Sequence, residues 1–568
     1  MLKLALSQYS SAGEKSQNQD SYGARLPDKE LLEYKGAAVV IADGISSSQV
    51  SHIASQVAVK QFLDDYYCTS DTFSVARGAE QVIQAINRWL CAQTKQSPYA
   101  LDQDKGYVCT FSAMIVKHQK AYWFHVGDAR IYRVRNGEVE LLTRDHRHYA
   151  GGQQHYLANA LGMSDTLRID SGCISILPGD CFVLLTDGVY EYLDDETLCT
   201  LVKRQDDSGE TSAKSLVETA FRKGSDDNLT AQVVWVDSVP SASDVITAED
   251  LPIPRVMEAG DKIDDFRILR CLYNSARSHV YLAQHIPTEQ QVVLKAPSIE
   301  MAHQSQHLEK CCLEEWIMRR IHSEYVVKAP EPMGQRSAFY TLCNYVPGIT
   351  LTQWIADNPN RDLEACRRLI EQIARGLMAL HRKDVLHQDI RPENIMINTD
   401  GNPILIDMGA ASVGGINEMD MGEEGVPGTA LYAAPEYFLG QAGSESSDLF
   451  SLAVLTYYLF SGRYPYGTDV AKCTSVAAQH KLSYHSVLDP NRSIPFWLDA
   501  TLKKALHPNP AKRYSTLSEF IYDLRHPNPA YVSRHRPPLL ERNPVAFWQT
   551  TTGVLLVVTL WLLAERFL

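Results

Sequence analysis

Two proline-rich segments divide this chain and limit what it can fold into. Residues 239–262 and residues 527–544 both contain several prolines and little apolar periodicity. Proline-rich chain is extended and forms no packed core, so we interpret the first segment as a linker and the second as a stiff juxtamembrane spacer. The blocks 1–238 and 263–526 are each long enough for a core of their own. The sequence therefore predicts a multidomain chain.

The composition of the chain limits its function. Its 568 residues are 45% hydrophobic and carry a net charge of −14 with His neutral. This acidic balance argues against nucleic acid as a partner, because proteins that bind nucleic acid usually carry basic surfaces. Twelve cysteines without a Cys-x-x-Cys pair argue against a zinc ribbon or a disulfide framework and fit a reducing compartment. The first residues contain too short an apolar run for a signal peptide, so no export is expected.

An apolar run lies near the end of the chain. Residues 543–564 contain no Asp, Glu, Lys or Arg, and about 20 mostly apolar residues are enough to cross a membrane as a helix. The sequence therefore predicts a transmembrane helix over 545–564, with a final buried helix of the preceding domain as the alternative. Three arginines lie between positions 534 and 542, and one follows the run. By the positive-inside rule we expect a single-pass C-terminal anchor in the inner membrane, with the catalytic domains in the cytoplasm.

The apolar patterns of the two blocks differ. The first block contains short β-rich runs with interspersed helical segments, which predict a layered α/β or α+β sandwich; examples are Ala37–Ala42, Phe111–Val116 and Phe182–Leu185. The second block begins with strand-like runs and continues as mainly helical chain, which predicts a β-rich lobe followed by a helical lobe. Its clearest segments are Val280–Leu282, Val292–Leu294, Cys366–His381 and Ser447–Phe460.

Aspartates in the first block recur beside apolar runs. Asp43, Asp128 and Asp187 each follow such a run, and Asp227 precedes another. For any single one of them, a turn-forming role is the simpler interpretation. Repeated carboxylates with neighbouring Gly also suit Mg²⁺ or Mn²⁺, which prefer oxygen ligands. Two such ions about 4 Å apart can activate water for attack on phosphorus.

The order of these motifs resembles the metal-dependent PPM serine/threonine phosphatases over nearly the whole first block. The motifs are Asn18-Gln19-Asp20, Asp43-Gly44, Thr110, Gly127-Asp128-Ala129-Arg130, Ala160-Leu161-Gly162, Asp187-Gly188 and Asp227-Asn228. The resemblance implies a β-sandwich with flanking helices and a binuclear Mn²⁺ or Mg²⁺ site.

The resemblance also assigns roles to individual residues. It implies that Asp43 bridges both metals, that the Gly44 carbonyl binds one, and that Asp187 and Asp227 hold the other. Asp128 would serve a third, weaker metal position, and Asp20 would act through water.

Two departures from the family pattern concern the phosphatase block. Lys15 stands where the family usually has a phosphate-binding Arg. Lysine keeps the positive charge but lacks the bidentate geometry of Arg. The stretch Asp43–Ser48 replaces a glycine-rich turn. We nevertheless expect an active phosphatase, because the carboxylates are retained.

A second set of motifs lies in the second block and resembles the Hanks-type protein kinases over about residues 266–526. Phosphoryl transfer needs a cation at the nucleotide phosphates, oxygen ligands for Mg²⁺ and a carboxylate for the attacking hydroxyl. The motifs are Lys295, Glu314, His387-Gln388-Asp389-Ile390-Arg391-Pro392-Glu393-Asn394, Asp407-Met408-Gly409, Gly428-Thr429, Ala434-Pro435-Glu436, Asp448 and Arg513.

This resemblance implies ATP and Mg²⁺ as cofactors. Lys295 would contact the ATP phosphates and pair with Glu314, with Glu315 as the alternative partner. Asp389 would be the catalytic base, and Asn394 and Asp407 would hold Mg²⁺. The resemblance also implies that Asp448 supports the catalytic loop and that Glu436 and Arg513 form a structural ion pair.

The kinase pattern also has departures. The nucleotide-covering loop falls on Leu272–Val280, which contains no glycine, and glycine normally lets the backbone close over phosphates. We therefore expect weaker nucleotide binding. We predict that replacing Tyr273, Ser275 and Ser278 by glycine improves ATP binding or turnover. Gln388, Arg391 and Met408 replace the usual Arg, Lys and Phe of their motifs. Since the charged catalytic residues are all present, we expect a working kinase.

Together these patterns predict a membrane-tethered enzyme that is both a serine/threonine kinase and a phosphoserine/phosphothreonine phosphatase. Its expected partners are proteins carrying Ser/Thr or their phosphorylated forms, itself included. One alternative is an active phosphatase regulated by a catalytically dead kinase fold, which the glycine-free loop motivates. Another is a signalling scaffold in which neither site works.

Overall fold

The computed structural model describes residues 2–150, 154–203, 210–240, 251–302, 304–331, 336–414, 429–488, 494–532 and 544–567. These residues form two compact units. The first contains Ala379–Val385 and the described parts of Met1–Pro347 and Ile406–Glu423. The second contains Gly348–Met378, Leu386–Leu405 and the described part of Glu424–Leu568.

Residues up to Ser238 in the first unit form a sandwich of β-sheets with flanking helices. The strands are β1 (Lys3–Ser11), β2 (Ser21–Arg25), β3 (Ala37–Ala42), β4 (Phe111–Lys117), β5 (Lys120–Val126), β6 (Arg130–Arg135), β7 (Glu138–Leu141), β8 (Arg147–Ala150), β9 (Gln154–Leu157), β10 (Asp170–Ser175), β11 (Cys181–Leu185) and β12 (Leu229–Ser238). The helices are α1 (Lys29–Lys35), α2 (Ser51–Cys68), α3 (Val75–Gln96), α4 (Asp187–Tyr190), α5 (Asp195–Leu201) and α6 (Glu210–Arg222).

Two antiparallel five-stranded sheets enclose the core of the sandwich, in the orders β1-β12-β11-β6-β7 and β10-β5-β4-β3-β2. Strand β11 contributes alternate side chains to two different cores. Phe182 and Leu184 point into the core between the sheets, whereas Val183 and Leu185 join a second core that includes residues of α6. Successive side chains of a strand point to opposite faces, so a strand covered on both faces is apolar throughout. The expected sandwich with flanking helices is confirmed.

A third five-stranded antiparallel sheet, which we call the third sheet, follows within the first unit, in the order β13-β14-β15-β16-β17. Its strands are β13 (Lys262–Ile263), β14 (Phe266–Asn274), β15 (Ser278–His285), β16 (Gln291–Pro297) and β17 (Thr341–Asn344). Helix α7 (Ser305–Arg320) packs against β17. Buried Phe266, Tyr281 and Leu294 belong to the core of this sheet.

The second unit is mainly helical and also contains a small sheet in the order β18-β20-β21. The strands after β17 are β18 (Gly348–Thr350), β19 (Val385–Leu386), β20 (Ile395–Asn398), β21 (Pro403–Leu405) and β22 (Ser412–Val413). The helices after α7 are α8 (Leu351–Asp357), α9 (Leu363–His381), α10 (Glu445–Ser461), α11 (Val476–Gln479), α12 (Phe496–Ala505), α13 (Leu517–Arg525), α14 (Pro529–Val532) and α15 (Pro544–Phe567). Nearly every residue of α10 from Ser447 onward is buried, which makes it the central helix of this unit.

Helix α15 carries the apolar run. Among the described residues, Val545–Leu562 is the single segment long and apolar enough to cross a membrane, and none of it is buried. The side chains of Val554, Leu556 and Trp561 are more than half exposed. The alternative of a final buried helix is therefore wrong.

The two proline-rich segments are partly structured. The end of the first segment packs onto the third sheet: Met257 is buried and its N–H donates to Tyr281 Oη at 3.1 Å. Part of the second forms α14, which contacts α12. Part of each segment is therefore ordered against a neighbouring element. Residues 241–250 and 533–543 lie outside the described residues.

Candidate active sites

Five aspartates lie at strand ends of the sandwich. Asp20 precedes β2, Asp43 follows β3, Asp128 comes soon after β5, Asp187 begins α4, and Asp227 precedes β12. Burial raises the pKa of Asp43 well above its usual range, and the charges of Asp20, Asp187 and Asp128 raise it further. Burial, followed by the charges of Asp128, Asp227 and Asp20, raises the pKa of Asp187 to about 7. The fold therefore gathers the predicted carboxylates into one mutually repelling cluster, which we call the acidic cluster; Asp20 and Asp128 are buried, whereas Asp227 is partly exposed.

Asp20 is fixed by two threonines. The hydroxyls of Thr186 and Thr230 donate to Asp20 Oδ2 at 3.0 and 2.6 Å. The other oxygen, Asp20 Oδ1, is buried and accepts no hydrogen bond. Burial raises the pKa of Asp20 to about 6 against the effect of the threonine hydrogen bonds. One carboxylate oxygen is thus held in place while the other lacks a partner.

Two cations from the chain itself face the acidic cluster. Arg147 Nε donates to Asp128 Oδ2 at 2.7 Å, and its Nη2 donates to Asp187 Oδ2 at 3.2 Å. Lys15 Nζ lies 3.4 Å from Asp227 Oδ1. Sequence reasoning found Lys15 but missed Arg147, which lies between motifs with no pattern of its own to mark it.

The acidic cluster fits hard divalent cations by its donor chemistry. It offers carboxylate oxygens, among them the unpartnered Asp20 Oδ1, and its charges repel one another. Such oxygen donors suit Mg²⁺ or Mn²⁺. In the described part of the chain, however, no three His, Cys, Asp or Glu side chains already converge as a ligand set. In the structure, three of these carboxylates lie beside cations of the chain, Asp128 and Asp187 beside Arg147 and Asp227 beside Lys15.

The loop after Asp43 is ordered without the family's glycine-rich turn. A Cβ on Gly44 would lie 2.9 Å from the Gln19 carbonyl oxygen, so the close approach there requires glycine. Farther along, Ser48 Oγ donates to the Gly106 carbonyl oxygen at 2.7 Å, and Ser47 Oγ donates to that of Asp104 at 3.0 Å. No residue from 45 to 50 has a positive φ. Serine hydroxyls therefore hold this loop without backbone strain.

In the third sheet, Lys295 lies among acidic groups. Its Nζ donates to Glu314 Oε2 at 2.8 Å and to Asp407 Oδ1 at 3.3 Å. Burial tends to lower the pKa of Lys295, but the two carboxylates outweigh it and raise that pKa. Glu315, the alternative partner, is bound by Arg319 and Arg336 instead. The structure thus brings together Lys295, Glu314 and Asp407.

Asp407 has an unusual backbone. Its φ is +64°, in the left-handed region that non-glycine residues rarely adopt. The Gly409 N–H donates to Asp407 Oδ1 at 3.2 Å. Strained conformations of this kind concentrate at functional sites because the surrounding structure must hold them.

Asp389 and Asn394 lie together in the second unit. Asn394 Nδ2 donates to Asp389 Oδ2 at 2.7 Å, and the Thr429 N–H donates to Asp389 Oδ1 at 2.9 Å. Arg391 Nε lies 3.2 Å from Asp389 Oδ2. Both carboxylate oxygens of Asp389 are therefore oriented by neighbouring groups. Gly428, quoted with Thr429 in the sequence motif, lies outside the described residues.

Two buried acidic side chains support this region of the second unit. Asp448 accepts hydrogen bonds from the His387 and Gln388 N–H groups, both at 2.9 Å. Glu436 and Arg513 form the expected bidentate pair, with N–O distances of 2.8 and 2.7 Å. Burial tends to raise the pKa of Glu436, but the hydrogen bonds from Arg513 lower it. Asp448 thus holds the backbone just before Asp389.

The glycine-free segment Leu272–Val280 forms an ordinary hairpin between β14 and β15. Ser275 Oγ accepts hydrogen bonds from the Arg277 and Ser278 N–H groups at 3.3 and 3.1 Å. No residue of the segment has a positive φ. In β15, Val280 lies opposite Lys295 of β16, and in β14 the side chain of Leu272 is 38% exposed. The hairpin therefore replaces the expected glycine turn with a turn built on a serine hydroxyl.

Comparison with known proteins finds a family match for each of the two blocks of the chain. The family described as protein phosphatase 2C matches residues 8–232, and the family described as protein kinase domain matches residues 272–523. This chain joins a protein phosphatase 2C domain to a protein kinase domain. The acidic cluster lies in the phosphatase domain, and Lys295, Glu314, Asp389, Asn394 and Asp407 lie in the kinase domain.

The kinase domain has bacterial relatives. Serine/threonine-protein kinase PrkC of Bacillus subtilis is 25% identical over 261 residues, which are 46% of this chain and 40% of PrkC. Serine/threonine-protein kinase PknA of Corynebacterium glutamicum is 28% identical over 222 residues, which are 38% of this chain and 46% of PknA. This chain therefore spans less than half the length of either curated relative.

Solved phosphatases are also similar to the chain. The serine/threonine phosphatase PstP/Ppp of Mycobacterium tuberculosis is 23% identical, with 42% of this chain and 100% of that chain covered and a TM-score of 0.34. The catalytic domain of PstP in complex with two manganese ions is 24% identical, with the same coverage and TM-score. The manganese ions are a property of that PstP structure.

The serine turn of the hairpin leads to a prediction. Ser275→Gly removes the hydroxyl that accepts two hydrogen bonds and adds backbone freedom, each worth about 1 kcal/mol. We expect amide hydrogen exchange in the hairpin to speed up by about fivefold or more, measured by mass spectrometry on the full chain. Ser275→Thr keeps the hydroxyl and is the matched control. Unchanged exchange in Ser275→Gly would show that the hydroxyl does not hold the turn.

Proposed function

We propose that this chain is a bifunctional enzyme whose two domains catalyse opposite reactions. The kinase domain transfers the γ-phosphate of ATP to Ser or Thr hydroxyls of proteins, and the phosphatase domain hydrolyses phosphoserine and phosphothreonine. The observation that carries this proposal is the presence of both charged sets in one chain. They are the acidic cluster, and the paired Lys295, Glu314 and Asp407 with the oriented Asp389.

The phosphatase reaction would use two Mg²⁺ or Mn²⁺ ions. Asp43, the Gly44 carbonyl, Asp187 and Asp227 would hold them, with Asp128 at a third position and Asp20 acting through water. Bound ions of this kind lower the pKa of water and neutralise phosphoryl oxygens. The chain itself contributes orientation and charge.

Two contributions of the phosphatase domain follow from its own contacts. Thr186 and Thr230 hold Asp20 in one orientation. The Lys15 ammonium, 40% exposed, supplies a positive charge for the substrate phosphate at the rim of the acidic cluster.

The kinase reaction would use Asp389 as its base. Its carboxylate would accept the proton of the substrate hydroxyl, and the Thr429 N–H and Asn394 Nδ2 hold it in one orientation. Lys295, kept charged by Glu314, would contact the ATP phosphates. Asp407 and Asn394 are assigned to Mg²⁺ by the resemblance, and Arg391 supplies positive charge near the γ-phosphate.

The glycine-free hairpin favours one alternative, an active phosphatase regulated by a kinase fold that binds ATP without transferring phosphate. Against it stand the closed Ser275 turn, which needs no glycine, and the formed pair of Lys295 and Glu314. Phosphate transfer by the full chain separates the two functions.

We also propose that α15 anchors the enzyme in the inner membrane with both domains in the cytoplasm. Its apolar, unburied residues Val545–Leu562 match the length of a membrane span. The arginines between 534 and 542 favour retention of that flank in the cytoplasm. Substrates would then be Ser/Thr proteins at or near the membrane, the chain itself among them.

The metal site is tested by Asp43→Asn. An Asn cannot supply the negative charge that two cations share, so we expect hydrolysis of a phosphothreonine peptide in limiting Mn²⁺ to fall at least about a hundredfold. Mn²⁺ should stabilise the wild type by about 2.7 kcal/mol at 100 times its Kd, seen as a rise in Tm, and this rise should shrink in Asp43→Asn. Asp180→Asn, at a buried carboxylate bound by Arg135, is the control. Hydrolysis by Asp43→Asn at the wild-type rate would overturn the assignment.

The catalytic base is tested by Asp389→Asn. Because Asp389 would contact the hydroxyl substrate, phosphate transfer from labelled ATP should fall at least about a hundredfold while ATP affinity changes little. Lys295→Ala should weaken ATP binding as well. Transfer by Asp389→Asn at the wild-type rate would contradict the kinase mechanism. A wild type that binds ATP and labels no protein would support the pseudokinase alternative.

The membrane anchor is tested by removing residues 545–568. We expect the shortened chain to move from the membrane to the soluble fraction with both activities retained, since the catalytic residues named above all precede α15. A matched chain in which Leu555, Leu556 and Val557 are replaced by Ala keeps the helix and tests its apolarity. Full-length protein recovered in the soluble fraction would exclude the anchor.

A further inference from the structure

Helix α7 of the kinase domain has two functional faces. On one face Glu314 binds Lys295 at 2.8 Å. The next residue, Glu315, is fully buried and points elsewhere, because consecutive residues of a helix are turned by about 100° from one another. This second face meets the phosphatase domain, which belongs to the same compact unit.

The phosphatase domain contacts the second face through residues 65–73, which we call the docking segment. Ser70 Oγ donates to Glu315 Oε2 at 2.6 Å. Trp316, which is 0% exposed, donates from Nε1 to the Asp65 carbonyl oxygen at 3.1 Å. Thr72 Oγ1 lies 2.9 Å from Cys312 Sγ. Residues 312–316 of the helix are thus bound by side-chain and backbone groups of another domain.

Buried charges join the same two domains. Arg319 donates to Asp71 Oδ2 and to Glu315 Oε1, both at 2.9 Å. Arg336 Nη2 donates to Glu315 Oε1 at 2.5 Å and lies 3.5 Å from Asp71 Oδ2. Lys35 Nζ lies 3.5 Å from Asp71 Oδ1. All of these side chains are at most 8% exposed.

Apolar packing continues the interface. Phe73 of the docking segment shares one buried cluster with Cys311, Cys312 and Phe339 of the kinase domain. A second ion pair places Arg320 Nε 2.9 Å from Asp65 Oδ2, with both side chains buried. Separating α7 from the docking segment would expose Trp316 and leave buried charges without partners, which is strongly unfavourable.

We propose that the phosphatase domain is a built-in positioning partner of the kinase: the docking segment holds α7 so that Glu314 stays on Lys295. Asp71 and Ser70 act as positioning residues through Glu315 and Arg319 and touch no reacting group. This inference rests on the proposed kinase activity. Its consequence is that kinase turnover depends on an intact surface of the phosphatase domain. A passive interface would hold the domains together and leave turnover unchanged.

The decisive variant is Asp71→Asn in the full chain, which removes the charge that Arg319 and Arg336 share. Coupling between sites is typically worth 5- to 150-fold, and we expect kinase turnover to fall about tenfold while phosphatase turnover changes less than twofold. Amide exchange within 305–320 should accelerate. Ser70→Ala, a milder change that removes one hydrogen bond to Glu315, should give a smaller fall in the same direction.

Asp180→Asn is the matched control. Asp180 is a buried carboxylate of the phosphatase domain held by two hydrogen bonds from Arg135, at 2.6 and 2.7 Å. Its side chain also accepts a hydrogen bond from the Leu177 N–H, in the same domain. It should lower the stability of the phosphatase domain without changing kinase turnover or exchange in α7. Equal kinase turnover in Asp71→Asn and Asp180→Asn would overturn the proposal.

A disulfide provides the rescue. Thr72→Cys places a thiol beside Cys312, and an S–S bond of about 2.05 Å would fix α7 to the docking segment. Oxidised Thr72→Cys/Asp71→Asn should recover kinase turnover to within about twofold of wild type and lose it again on reduction, with the crosslink verified by mass spectrometry. A verified crosslink without recovery would contradict a positioning role.

Failure of the proposed function can be told apart from failure of this inference. If the wild type transfers no phosphate, the proposed kinase activity fails, and exchange in 305–320 still decides the interface. Faster exchange in Asp71→Asn than in Asp180→Asn supports the docking of α7 on the phosphatase domain. Equal exchange in both variants overturns it.

Discussion

Carboxylates with little access to solvent determine how both halves of this protein are built. A buried carboxylate is stable only beside a positive charge or hydrogen-bond donors. In the acidic cluster of the phosphatase domain, burial raises the pKa values of Asp20, Asp43 and Asp187, and the charges of neighbouring aspartates raise them further. In the kinase domain Glu314 is equally buried but pairs with Lys295 at 2.8 Å. Both arrangements contain cations of the chain, Arg147 and Lys15 beside the acidic cluster and Lys295 beside Glu314.

Much of the fold could be predicted because its signals are local. The apolar run of β3 and the two-sided pattern of β11 mark strands covered on both faces, and the sheets follow from them. The predicted carboxylates of the phosphatase domain each border a strand, which is why the fold gathers them. The ion pair of Glu436 and Arg513 was likewise expected from the motifs, and the structure contains it. The metal-binding and catalytic roles of these residues remain predictions.

The remaining features depend on contacts that no local pattern reveals. Arg147 reaches Asp187 across 40 positions, and Arg319 reaches Asp71 across 248. In the sequence such residues look like ordinary surface charges, because pairing is decided by where distant segments meet. The serine turn was missed for another reason. Glycine is one way to close a tight loop, and a hydroxyl that bonds two backbone N–H groups is another.

The ion pairs between the docking segment and α7 limit how this chain can evolve by recombination. Domains connected only by a linker can be exchanged by recombination, since each half brings a complete surface. Here the boundary runs through Asp71, Arg319 and Trp316, so a cut within residues 239–262 would give each half a surface adapted to the other. A new neighbour for either domain would have to supply matching charges at once. The two domains of this protein are therefore constrained to be inherited as a pair.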